Sequence, residues 1–199
     1  MYRFLLIIYS FLISLTMSAY EHTYPDLNDL DAILNRHNEI TLAKIQSIES
    51  KKYILVNTDS MTERYNICDS LFHDYSSFQL DSALSYANRK LKIAKQLQDR
   101  KHIDRSIIEM ANMYIQAGMN MQSYELLQQL DRSQLDPALL QDYYSINNNL
   151  YEFLSQFALN KTIRDGYKQT AKAYRDSVLM HEPNDMFVYT YSLLSDGKY

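Results

Sequence analysis

The chain has 199 residues, a formal net charge of −4, 46% apolar residues, 18 Tyr and no Trp. That length suits one domain or two with a proper core, and so mild a charge argues against a polyanion partner and against a wholly disordered chain. Three Gly and three Pro leave little turn chemistry for hairpins, so long helices are the natural reading, and a single Cys rules out an internal disulfide.

Residues 1–19 read as a signal peptide. Arg3 supplies a positive charge, Phe4 to Leu15 form a continuous apolar run, and small residues follow, with the cut expected at Ser18 or Ala19. The run is shorter than the ~20 residues of a permanent membrane span; an uncleaved anchor is the alternative. Either route places the chain outside the cytoplasm, in the periplasm or cell envelope.

Residues 20–60 read as an N-terminal helical segment. Leu27, Leu30, Ile33, Leu34, Ile40, Ala43 and Ile48 trace one narrow stripe, with Asp26 as a plausible cap. The stripe degrades after Ile40, so a long coiled coil is not expected; a first helix packing along the rest of the chain, or one breaking near Ser50, is expected instead.

Residues 61–199 read as a domain of helix pairs. Tyr65, Ile67, Cys68, Leu71, Phe72 and Tyr75 mark one helix, "SSFQ" a turn, and Ala83, Leu84, Ala87, Leu91 and Ala94 a second helix. Cys68 reads as a small buried hydrophobe. The arrangement repeats in "IIEMANMYIQAG" followed by "QSYELLQQLDRSQLDP". Ala111, Tyr114, Gly118, Ser123, Leu127 and Leu130 fall on the small–Tyr–Gly–small–apolar–apolar pattern of the roughly 34-residue tetratricopeptide (TPR) repeat. Small residues belong where paired helices cross closely; large ones fill the space between pairs. A third unit starts with "YYSINNNLYEFLSQFA", its partner helix expected around "GYKQTAKAYRDSVLM" after a polar insertion, "LNKTIRD". A fourth opens at "NDMFVYTYSLLSDGKY" and is expected to be cut off in mid-repeat, leaving an apolar helix over 185–199 that would drive self-association.

The fold class is therefore all-α: TPR-like antiparallel helix pairs in a short solenoid, preceded by a signal peptide and an N-terminal helix. The stretches "FHDYSSFQLDSALSYANRKLKIA", "YIQAG", "LQDYYSINNNLY" and "LLSDGKY" resemble the N-terminal half of a Bacteroidetes family of TPR-containing envelope regulators. That resemblance implies a TPR-like half outside the inner membrane, with a membrane helix, a coiled coil and a cytoplasmic DNA-binding region following it.

No phosphate loop, zincin motif or paired-Cys metal site is present, and the five His are scattered, so no catalytic, cofactor or metal residues are expected. From Asn88 to Arg105 seven Lys or Arg face two Asp. An anionic contact is one reading; a solvated helix face with long side chains shielding apolar neighbours is favoured. Four Asp-Ser-apolar triplets, at Asp59, Asp69, Asp81 and Asp176, fit a short glycosylation acceptor pattern or simple helix capping.

The expected function is a non-enzymatic extracytoplasmic interaction or sensor module. The alternatives are a structural scaffold subunit of an envelope complex or a truncated, non-functional paralogue. A protein or peptide partner is expected in a groove lined by the first helix of each pair, with no nucleic acid bound through this region and an inner-membrane contact open through missing downstream sequence. In the register set by Ala111, the groove residues are Arg105, Ile108, Asn112, Ile115 and Asn149. An Asn there can offer a peptide backbone both a donor and an acceptor.

Overall fold

The computed structural model describes residues 27–181 together with Tyr189, Thr190, Ser192 and Leu193. The signal peptide, the Asp26 cap and most of the apolar segment expected over 185–199 lie outside the described residues.

Among the described residues there are helices and turns and no strand. The helices are α1 (Leu27–Asn57), α2 (Met61–Ser76), α3 (Leu80–Leu97), α4 (Arg100–Gln116), α5 (Asn120–Leu127), α6 (Leu140–Phe157) and α7 (Lys161–His181). Two single 3-10 turns, Arg132–Gln134 and Pro137–Leu139, lie between α5 and α6.

The chain divides into two compact units, Met1–Ser47 and Ile48–Tyr199, the division falling within α1. In the first unit the expected stripe is open to solvent: Ile33, Leu34, Ile40 and Ala43 are exposed. The helix does not break at Ser50 but runs unbroken for 31 residues. Within the second unit its last turns bury Ile48 and Leu55 and place the Lys51 ammonium 2.5 Å from the Asp74 carboxylate of α2.

The second unit is a TPR-like solenoid of three helix pairs, α2/α3, α4/α5 and α6/α7, each packed on its partner. Local chemistry sets the boundaries. Ser60 caps α2 by accepting from the Glu63 N–H at 3.3 Å, the first half of a capping box. Asp99 caps α4 by accepting from the His102 N–H at 3.1 Å. Gly118 ends α4 with φ +74, a left-handed conformation that a side chain would strain.

The repeat register read from the sequence appears as burial. Ala111 and Ser123 are fully buried where α4 meets α5, and Ala83, Ala87 and Ala94 do the same on α3. Leu127 and Leu130 fill the next layer of the core. Each large apolar side chain so buried contributes about 1.5–3 kcal/mol.

Two expectations are corrected. The helix expected from Gln122 through Pro137 stops at Leu127, because Asp131 and Asp136 turn back to accept from the Ser133 and Ala138 N–H groups and start the 3-10 turns. The polar "LNKTIRD" is not an insertion: only residues 158–160 are non-helical, and Asn160 accepts from the Ile163 N–H at 3.1 Å, capping α7. The third pair is cemented by tyrosines, with Tyr151 stacked on Tyr174 at 5.8 Å between centroids and Tyr143 edge-on to Tyr174 at 6.1 Å.

Candidate functional site: the open face of the first helices

A helix packed on neighbours along most of its girth keeps one narrow stripe for solvent. On α4 that stripe holds Lys101, Arg105, Glu109, Asn112 and Gln116, spaced by three or four residues. Arg105 and Asn112, two of the residues expected to line a groove, are on it. Arg105 is exposed, and its Nε lies 3.3 Å from Glu109 Oε1. Asn112 is half-buried, and among the described residues its carboxamide makes no hydrogen bond, leaving donors and acceptor open.

Asn149, on α6, is exposed; its Oδ1 accepts from Asn148 Nδ2 at a long 3.4 Å and its own amide group stays unengaged among the described residues. Ile115 is half-buried against the core. Ile108 is a correction: at 1% exposure it packs inside the core and presents nothing to a ligand. At 100° per residue it lies about 60° around the helix from Arg105 and about 40° from Asn112, on the side that turns under.

Next to this stripe the structure builds an ion cluster. The Lys90 side chain of α3 is fully buried, and its ammonium bridges Asp69 of α2, at 2.6 Å, and Glu109 of α4. The ammonium also lies 4.5 Å from the Phe72 ring centroid, a cation–π contact. His73 Nε2 is 3.8 Å from both carboxylates, and Arg105 closes the group from the far side of Glu109.

Asp69, His73 and Glu109 offer ligand atoms within 4.8 Å of one another, a spacing that a divalent cation could use. The Lys90 ammonium already satisfies both carboxylates, so a metal ion would have to displace a buried positive charge. Beneath the cluster, the Tyr65 hydroxyl sits 3.4 Å from Ser106 Oγ, and burial pushes the Tyr65 phenol up to about 12, with the Asp69 and Glu109 charges adding to the rise. Cys68 is fully buried, and burial pushes its thiol up, the opposite of what an activated thiolate requires.

Lys90 is hidden in a run of basic residues that reads as a solvated face. The signal that points to it is the repeat register. Lys90 stands seven residues after Ala83, as Leu130 stands seven after Ser123. Asp69 stands six before Tyr75, as Ile108 stands six before Tyr114. An apolar pair in the second repeat is an ion pair in the first.

The family model of the SusR N-terminal TPR domain matches residues 34–196. No curated protein and no solved structure matches the chain.

Proposed function

The chain belongs to the SusR N-terminal TPR domain family, and on that premise we propose that its open first-helix face holds an extended peptide segment of a protein partner. A TPR-type domain is a non-catalytic interaction fold, and membership of this family supports a role as a protein-interaction module of a regulator. The observation carrying the finer reading is the pair of carboxamides with unengaged amide groups, Asn112 and Asn149, on neighbouring first helices. Asn112, with both functions free, satisfies the N–H and C=O of a passing backbone, and Asn149 has its amide group left to donate to a further C=O, neither demanding a particular side chain. Arg105, two turns before Asn112 on the same stripe and half exposed beside Glu109, adds a cation for an acidic or C-terminal carboxylate group.

Changing Asn112 and Asn149 together to Ala should weaken partner capture at least tenfold, about 1.4 kcal/mol. Crosslinking pull-down from the native envelope measures this, with far-UV circular dichroism checking that helix content is unchanged. Capture at the original level would move the binding site off this face.

We also propose that the domain works outside the cytoplasm, a reading supported by the Phe4–Leu15 apolar run. Among the described residues no helix is long and apolar enough to cross a membrane. N-terminal sequencing of the native protein should begin near Ala19 or Tyr20. An intact Met1 recovered from the cytosol would remove this part of the proposal.

A further inference from the structure

The turn joining α6 to α7 points its apolar side chains outward. Leu159 is 97% exposed, Phe157 67% and Ile163 52%. Phe157 packs at a tilt on the half-buried Phe153 at 4.6 Å between centroids, so the exposed ring is braced from below. The turn itself is short and tied at both ends. The Ala158 N–H donates to Leu154 O at 3.1 Å, the Arg164 N–H donates to Asn160 O at 2.9 Å, and Asn160 caps α7. The side chains are therefore held out on a fixed hairpin end. Single exposed apolar residues are ordinary, but three large ones on one protruding tip mark a contact surface.

The charge around the tip selects the kind of surface. From residue 157 to 170 there are three cations, Lys161, Arg164 and Lys168, against one carboxylate, Asp165. Lys161 and Lys168 are exposed, and none of the three cations makes an ion pair among the described residues. Elsewhere in the second unit Lys51, Lys90, Lys101, Arg105 and Arg175 are ion-paired, whereas Arg64, Arg89, Lys92 and Lys95 make no ion pair among the described residues but have no comparable cluster of exposed large apolar side chains beside them. A peptide or helix would need a groove, and this is a projection. A projection with an apolar point and an unpaired basic collar fits a fluid, negatively charged interface, where the point enters the acyl boundary and the collar meets phosphates.

We propose that the α6–α7 turn, with Phe157, Leu159 and Ile163 at its point, docks the domain onto an anionic lipid bilayer. The chain contains no Trp, so Leu159→Trp introduces a single clean reporter. Because Phe4–Leu15 could itself hold the chain to a vesicle, the reading is taken at position 159 and not from sedimentation.

With vesicles of phosphatidylethanolamine and phosphatidylglycerol, the indole emission of the Leu159→Trp variant should shift to the blue and be quenched by brominated acyl chains. With pure phosphatidylcholine it should do neither. Adding Lys161→Glu and Lys168→Glu, both at exposed positions and the former in the first turn of α7 where a carboxylate favours the helix, should raise the lipid concentration at half-shift at least tenfold. No shift on anionic vesicles would overturn the proposal. So would an equal shift on phosphatidylcholine, or a shift indifferent to the two Glu substitutions. A blue shift that grows with protein concentration without vesicles would assign the tip to a second copy of the chain instead.

Discussion

Lys90→Ala should destabilise the domain by about 3 kcal/mol, near the lower end for a broken buried ion pair. The lower end applies because Asp69 and Glu109 keep 24% and 17% of their side-chain surface and recover some hydration when the ammonium is gone. Three helices lose their common counterion at once, and the Phe72 face loses its cation. The second repeat shows what restores it. Asp69→Ile with Lys90→Leu copies Ile108 and Leu130 into the first repeat, and Glu109 retains Arg105 at 3.3 Å. Replacing a buried pair by apolar residues of similar size is near neutral or better, so this double variant should unfold within about 1 kcal/mol of the parent. Urea denaturation followed by circular dichroism measures both. A Lys90→Ala midpoint equal to the parent's would mean that the cluster does not hold α2, α3 and α4 together.

The second large effect is expected at Ile108. Truncation to Ala at a 1% exposed position removes three carbons and leaves a cavity, a loss of about 2–5 kcal/mol. Arg105→Ala, one turn away on the exposed stripe, should stay within about 0.5 kcal/mol, since its pair with Glu109 is half in water. Thermal melts of the two variants side by side separate a core residue from a face residue. Equal melting temperatures would return Ile108 to the open face.

The difference between Arg105 and Ile108 shows what is legible in the sequence and what is not. Helix pairing is legible because it rests on composition and spacing: Ala111, Gly118 and Ser123 have small side chains or none, and only close crossings or a left-handed turn need them there. The face on which a residue emerges depends on how α4 is rotated against α3, α5 and α6, and a step of three residues spans about 60° of that rotation. Spacing alone puts Ile108 and Asn112 on one stripe; packing separates them. Lys90 escapes for a related reason. A Lys among six other cations carries no local mark of burial, and its partners Asp69 and Glu109 stand 21 and 19 residues away along the chain. The apolar tip at Leu159 is hidden inside a stretch that reads as a polar insertion, because Asn160, Lys161 and Thr162 outweigh one Leu in any average.

The shortness of α5 bears on how the array yields under load. At 1.5 Å per residue, the 18 residues of α3 brace their pair over about 27 Å, whereas the 8 of α5 brace theirs over about 12 Å. What continues the second helix of that pair is a chain of spot welds: Leu135 and Leu139 in the core, Lys101 to Asp136 at 2.9 Å, and Arg132 over the Tyr144 ring at 5.1 Å. A stack of equal helix pairs shares a bend among all its joints. Here residues 128–139 give the array its least continuous bracing, so a bend imposed on the stack is expected to open there first, and amide hydrogen exchange in that segment should be the fastest of the second unit.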